Sequence, residues 1–337
     1  MRKVIINPII DISYASYFII GLQSVFGKKN VRFANKNQLN LFVKQEKVLN
    51  ISFLIIDSIT SKSLKVSIDH GDFNEILDNS TYEWADIYGK VNTNWGITPK
   101  AKFPKLVCFA TNFGIRGFTF FESVLFSIQN YFIVRPKEFK RYFARYYKQN
   151  NKLWIEEYPF SNPVKGYVFS ANTLWYSDEY NKLNETTNKI RADFMETCLS
   201  MPDICFEGGF IPSQLGNDSY QHLHLKKILS QSEYIDKLKK SLFAFNTPAV
   251  WNCHGWKLGE YLCMGKAIIS TPLSNDLPAP LIHGESIHIV NNQQELIKAI
   301  QIMNENEPYR MKLEKNARIY YEKYVSPEAA IRLLGIE

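Results

Sequence analysis

The 337 residues exceed one ordinary domain and suit two of roughly 150 to 170 residues each. Hydrophobic residues make up 45% of the chain and aromatics 14%, so a substantial core can be buried. A net charge of +7 raises nucleic acid as a partner, but no RNP, zinc-finger or helix-turn-helix signature accompanies it and the basic residues are dispersed outside one segment, which argues against that class.

The five cysteines, Cys108, Cys198, Cys205, Cys253 and Cys263, are odd in number and form no C-x-x-C pair. That pattern favours reduced thiols in a cytoplasmic setting over a disulfide framework or a zinc site. The opening MRKVIINPII reaches Asp11 almost at once and reads as a first strand, not a signal peptide. No uninterrupted apolar stretch reaches about 18 residues, so no membrane span is expected.

In chain order, Val4 to Ile10 is predicted as a strand, with a loop at Asp11 and an apolar helix from Ser16 to Phe26 that Gly27 ends. Val31 to Ala34, Phe53 to Ile56, Lys65 to Ile68 and Leu106 to Ala110 read as further strands of one sheet. A Gly-punctuated loop, Asn112 to Gly117, follows. Between Lys137 and Lys148, five basic residues (Lys137, Lys140, Arg141, Arg145, Lys148) face one Glu138, with Phe139, Tyr142, Phe143, Tyr146 and Tyr147 interleaved at nearly helical spacing. Two readings stay open: a helix resting on anionic lipid headgroups or an anionic acceptor, and a helix that packs its aromatics inward and solvates its charges. Ser161-Asn162-Pro163 reads as a linker, and Gly166 to Phe169 as the first strand of a second α/β unit. A polar helix from Leu183 to Leu199, a strand at Asp203 to Phe206, and a helix-strand step at Ile235 to Ser241 and Leu242 to Asn246 continue it. Strands alternating with helices predict parallel doubly wound sheets.

The most informative segment is Asn252 to Thr271, NCHGWKLGEYLCMGKAIIST. Gly259-Glu260 opens a small apolar helix, Gly265 breaks it, and Ala267 to Ser270 reads as a short buried strand. Ligands of open α/β sheets sit at the carboxyl ends of strands and adjoining helix N-termini. Glu260 is therefore expected at the helix start, facing a ligand. The segment resembles the donor-binding signature of GT-B glycosyltransferases, close to EGFGL-x-x-LEAMA-x-GKPVIAS. The resemblance runs on through His283-Gly284-Glu285, a strand at Ile287 to Val290, and a helix at Gln294 to Met303. Glu307-Pro308-Tyr309-Arg310, Asn316-Ala317-Arg318 and Tyr320 to Tyr324 resemble the family's D-P-E-x-R…N-A-R…F ending. Ser326-Pro327-Glu328 would cap a last helix. The first glutamate of the family's pair falls here on Asn252 and its Phe on His254, which leaves inversion or retention open.

The resemblance implies an α/β fold of two Rossmann-like doubly wound domains facing across a cleft. Residues 1–160 would bind the acceptor and 161–337 the nucleotide sugar, with the last helix able to pack back on the first domain. Glu260 would accept from ribose hydroxyls. Lys257 and Arg191, with Lys189 as the fallback, would meet the diphosphate. His254 and Trp256 could touch phosphate, sugar or base, and Asn252, Gly255, Asn172, Thr173, Thr271 and Ser274 sit in loops placed for donor contacts. Each of these has a bland alternative as a turn, cap or surface residue. For the acceptor base, Asp11 follows the first strand, and Asp69 with His70 forms the other candidate, a carboxylate-oriented pair.

No Asp-x-Asp occurs in the chain, so neither a metal nor another cofactor is expected. The reading is a metal-independent glycosyltransferase acting on a glycan or lipid-linked saccharide in surface polysaccharide assembly. It would be cytoplasmic, with peripheral contact to an anionic membrane through 137–148 left open, and without nucleic acid. The alternatives are a nucleotide-sugar 2-epimerase of the same fold and a non-catalytic sugar- or partner-binding protein.

Overall fold

The computed structural model describes residues 2–44, 49–158, 160–175, 181–212 and 219–336, with the backbone alone for 181–184. They divide into two compact units, Met1–Glu157 with Asn275–Ala279 and Lys323–Glu337, and Tyr158–Ser274 with Pro280–Glu322.

The first unit is built on a six-stranded sheet of order β2-β1-β3-β4-β5-β6. Its strands are β1 (Arg2–Ile6), β2 (Val31–Phe33), β3 (Asn50–Asp57), β4 (Ser63–Asp69), β5 (Ile87–Lys90) and β6 (Leu106–Cys108). The expectation of a parallel sheet is corrected here. β1–β2, β4–β5 and β5–β6 are parallel, but β3 runs antiparallel to both β1 and β4. The reason lies in the connection: the short turn from Asp57 to Ser63 can join only antiparallel neighbours, since a parallel crossover needs a dozen or more residues. Val4, Ile6, Phe53, Ile55, Val66 and Ile68 fill the sheet's core.

Helix α1 (Ile12–Phe26) starts at Asp11, whose side chain accepts from the Ser13 N–H, and stops at Gly27, φ 82°. It begins earlier than its apolar pattern suggested because β1 ends at Ile6 and the chain turns at once. Helix α2 (Asn79–Trp84) precedes β5, and α3 (Phe120–Val134) and α4 (Phe139–Gln149) form a helical hairpin. The aromatics Tyr142, Phe143 and Tyr146 of α4 pack on Tyr131 of α3 and on one another. Lys140, Arg141 and Lys148 point outward. Helix α10 (Pro327–Arg332), capped by Ser326 as its sequence suggested, lies on α1.

The second unit carries β7 (Tyr167–Thr173), α5 (Asn181–Ser200), β8 (Cys205–Ile211), α6 (Gln231–Lys240), β9 (Ala244–Asn246) and α7 (Trp256–Cys263). After these come β10 (Ile268–Ser270), β11 (His288–Ile289), α8 (Gln293–Glu305) and α9 (Glu307–Tyr320). Every strand pair is parallel. β9 lies beside β7, with the Leu242 N–H donating to the Tyr167 carbonyl at 2.7 Å and the Phe169 N–H to Ser241 Oγ at 2.9 Å. The two-stranded β8-β7 and three-stranded β9-β10-β11 sheets thus lie side by side in the order β8-β7-β9-β10-β11, whose winding reverses between β7 and β9. Val168, Phe194, Phe210, Phe243, Phe245 and Ile269 form the core. The supposed linker is bonded into this unit: the Ser161 N–H donates to the Met264 carbonyl and the Asn162 N–H to that of Lys239.

Candidate functional site

The carboxyl ends of β7 and β9 flank the reversal point, where open sheets leave a crevice for ligands. Three charged side chains of the second unit converge there. Lys257, on the first turn of α7, donates through Nζ to the Ala171 carbonyl and to Asn172 Oδ1, the latter at 2.6 Å. Burial, reinforced by the nearby Arg191 guanidinium and opposed by Glu260, pulls its pKa down to about 7. Arg191, on α5, spans the same end of the sheet. Its Nε donates to Thr247 Oγ1 at 2.9 Å, Nη1 to the Thr173 carbonyl at 3.1 Å and Nη2 to the Pro248 carbonyl at 3.2 Å. Burial lowers its pKa to about 10, so it stays charged at neutral pH.

Glu260 is buried one turn inside α7, not at its start, because the helix begins at Trp256. The Tyr234 hydroxyl approaches its Oε2 at 3.5 Å. The N-cap of α7 is Gly255, which has no side chain to fold back on the first turn. A helix entrance of this kind presents N–H groups and positive dipole to an anion.

The loop leading into α7 holds Trp251 and Asn252 at φ 59° and 60°. Asparagine tolerates the left-handed region and tryptophan does so rarely. Local backbone geometry thus gives a reason for Asn252 where the resembled family has glutamate. Ser274 Oγ donates to the Asn252 carbonyl. Buried His254 and half-buried Trp256 flank Gly255. At the end of β10, the Thr271 N–H donates to the Asn246 carbonyl at 3.2 Å. Asn172 also donates through Nδ2 to Ser170 Oγ at 2.9 Å. Lys189 lies on the exposed face of α5 and pairs with Asp193 at 2.7 Å.

The structure thus gathers Asn172, Thr173, Arg191, Lys257 and Glu260 around one strand reversal. Thr247 and Tyr234, which sequence reasoning missed, hold Arg191 and Glu260 from behind. The only signal for Thr247 was its place directly after a predicted strand.

The first-unit candidates form a separate cluster. Asp11 caps α1 and pairs with Arg145 of α4 at 3.4 Å. The pairing of Asp69 with His70 expected from sequence is corrected. Asp69 Oδ1 accepts from the Gly71 N–H at 2.8 Å, and Oδ2 accepts from Lys90 Nζ at 2.8 Å and from the Tyr88 hydroxyl at 3.2 Å. The fully buried Lys90 needs that counter-charge, so the carboxylate serves it and not the imidazole. His70 instead stacks on Tyr14, ring centroids 5.1 Å apart. Burial lowers its pKa, partly opposed by Asp69 and Asp11. Its Nε2 is buried and has no hydrogen-bond partner among the described residues. A neutral imidazole with one nitrogen unengaged is chemically able to accept a proton.

Among the described residues no group of three or more His, Cys, Asp or Glu side chains is placed to hold a metal ion, and no helix is long and apolar enough to cross a membrane.

No family model matches the chain. No curated protein matches it either. Solved structures similar to it include the C-terminal domain of a group 1 glycosyl transferase, LpcC of Francisella tularensis, at 14% identity and TM-score 0.33, covering 50% of this chain and 89% of that one. A UDP-N-acetylglucosamine 2-epimerase described as such for Listeria monocytogenes matches at 13% identity and TM-score 0.43, over 95% of this chain and 91% of its own. The UDP-GlcNAc 2-epimerase of Methanocaldococcus jannaschii, solved with UDP-GlcNAc and UDP, matches at 14% identity and TM-score 0.43, over 99% and 98%.

Proposed function

We propose that this protein binds a nucleotide sugar in its second unit and transfers the sugar to a glycan or lipid-linked saccharide without a metal. One observation carries the reading: half-buried Lys257 and buried Arg191 lie together at the reversal between β7 and β9, beside the side-chain-free entrance of α7. Two cations and a helix N-terminus suit a diphosphate. Glu260, one turn on, is the carboxylate for ribose hydroxyls.

Glycosyl transfer requires the developing negative charge on the leaving diphosphate to be neutralised as the sugar–oxygen bond breaks. Lys257 is suited to this because its ammonium form, disfavoured by burial, is favoured once the diphosphate is beside it. Arg191 supplies a fixed charge and keeps the ends of β7 and β9 in register. If configuration inverts, a first-unit base would take the acceptor proton, with Asp11 and His70 the candidates. The place of work follows from a lipid-linked acceptor: the inner face of a membrane, in surface polysaccharide assembly.

The test is thermal stabilisation by UDP, GDP, CMP and TDP, followed by product analysis with the corresponding sugar nucleotides. A nucleotide at about 100 times its dissociation constant adds roughly 2.7 kcal/mol. Slow release of free nucleotide supports a transferase. Interconversion of the sugar at C2 would assign epimerisation instead, and stabilisation by none of the four would remove the reading.

A further inference from the structure

Helix α3 is amphipathic in the reverse sense. The residues it buries are Ser123, Ser127 and Asn130. Asn130 Nδ2 donates to the Tyr146 hydroxyl of α4 at 3.0 Å, and the Tyr142 hydroxyl donates to the Ser127 carbonyl at 3.2 Å. Outward stand Phe120, Phe121, Val124, Leu125, Ile128 and Phe132, with Phe121 83%, Leu125 61% and Phe132 67% exposed. At 100° per residue these six side chains fall on one side of the helix. A contiguous exposed apolar face of this kind marks an interaction site on a soluble chain.

Charge identifies the occupant. Residues 120–149 hold six basic side chains (Arg135, Lys137, Lys140, Arg141, Arg145, Lys148) against two acidic ones (Glu122, Glu138). Both acids are neutralised within the fold, Glu122 by Lys28 at 2.6 Å and Glu138 by Arg141 at 3.3 Å. Arg135, Lys137, Lys140 and Lys148 are exposed and are held in no ion pair among the described residues. Apolar side chains on one helix, with cations on the turn and on its hairpin partner, match the layering of an anionic bilayer, acyl boundary below and phosphates above.

We propose that the α3–α4 hairpin seats the protein on an anionic lipid bilayer, the apolar face of α3 entering the headgroup boundary and the cations of the turn and of α4 meeting lipid phosphates. The proposal goes beyond the nucleotide-sugar reading and stands without it, because lipid binding is measured with no nucleotide present.

Co-sedimentation with vesicles of phosphatidylcholine, alone and mixed with phosphatidylglycerol, tests it. The wild type should partition onto the mixed vesicles roughly tenfold better than onto the neutral ones, and less at high salt. The triple variant Phe121→Ser, Leu125→Ser, Phe132→Ser should lose sedimentation with both while melting as the wild type does, since all three side chains are exposed. Lys137→Gln with Lys140→Gln should reduce the preference for phosphatidylglycerol several-fold and leave the neutral vesicles unaffected. Wild-type protein that pellets with neither vesicle overturns the proposal, as does a triple variant that binds like the wild type. A dimer seen by light scattering, dissolved by the triple substitution and accompanied by no vesicle binding, would give the face to a second copy and overturn it equally.

Discussion

Lys257 Nζ lies 2.6 Å from Asn172 Oδ1, which ties the first turn of α7 to the carboxyl end of β7. That bond, with the one to the Ala171 carbonyl, fixes the amine at a point where no carboxylate among the described residues forms an ion pair with it.

The first prediction follows from the lowered pKa of Lys257, about 7. A diphosphate needs the ammonium form, so binding above neutrality must draw in a proton. Nucleotide affinity should fall as pH rises from 7 to 9, by up to about tenfold per unit, with proton uptake visible by titration calorimetry in buffers of different ionisation enthalpy. Lys257→Met should bind more weakly and with a flat profile. A wild-type affinity that does not vary across this range would take Lys257 out of the diphosphate site.

Lys266 gives a stability prediction. It is wholly buried, donates to the Ser241 and Lys239 carbonyls, and has its pKa lowered to about 7 by burial. Between that value and the unfolded pKa, the unfolded chain holds the extra proton, so stability from this group rises with pH. The increment approaches about 1.4 kcal/mol per unit. In urea titrations from pH 7 to 8.5, the wild type should gain on Lys266→Met steadily; a constant difference would show that the lysine does not titrate there.

Glu260→Gln preserves shape and removes charge. If the carboxylate takes ribose hydroxyls, the loss should be roughly 1.5 to 3 kcal/mol of nucleotide affinity, the range for charged hydrogen bonds. Calorimetry on a variant of normal melting temperature would measure it, and unaltered affinity would take Glu260 out of the ribose site.

For the acceptor base, Asp11→Asn keeps the helix cap, since asparagine caps as well as aspartate does, and removes the charge that pairs with Arg145. Turnover should drop by roughly 10² to 10⁴ if Asp11 is the base, with nucleotide affinity unchanged. His70→Gln ranks the alternative. Should neither variant slow turnover tenfold, the base lies elsewhere or configuration is retained, and product anomericity by NMR separates those outcomes.

A chain without Asp-x-Asp and with Lys257 and Arg191 at the reversal point should keep its activity in EDTA. Loss on chelation, restored by manganese or magnesium, would contradict the proposed charge neutralisation.

Legibility followed locality. Gly27 and the Ser326-Pro327 start of α10 were readable because caps are decided by a few neighbouring residues. The parallel second unit was readable because its strands and helices alternate plainly. The antiparallel insertion of β3 was not, since the same apolar run serves either direction. Lys257 and Glu260 lay inside a recognisable motif. Arg191 could be placed near the site, but its three acceptors come from the end of β7 and the loop after β9, 18 to 57 residues away. Asp69 was misread because Lys90, its partner, sits in the unpredicted strand β5. The spacing of Ser123, Ser127 and Asn130 resembles a solvent-facing stripe, and only packing against α4 shows that it points inward.

Helix α10 has one more consequence, for the order in which the protein can be made. It approaches α1 so closely that a Cβ on Gly21 would lie 2.0 Å from the Pro327 carbonyl oxygen. The Tyr17 hydroxyl donates to the Val325 carbonyl at 2.5 Å, and Arg2 reaches the Ile336 carbonyl at 2.7 Å. The first unit is therefore completed by residues that follow the second unit in the chain. On the ribosome α1 must wait, one flank unclosed, while the whole second unit emerges, reversing the usual rule that the leading domain matures first.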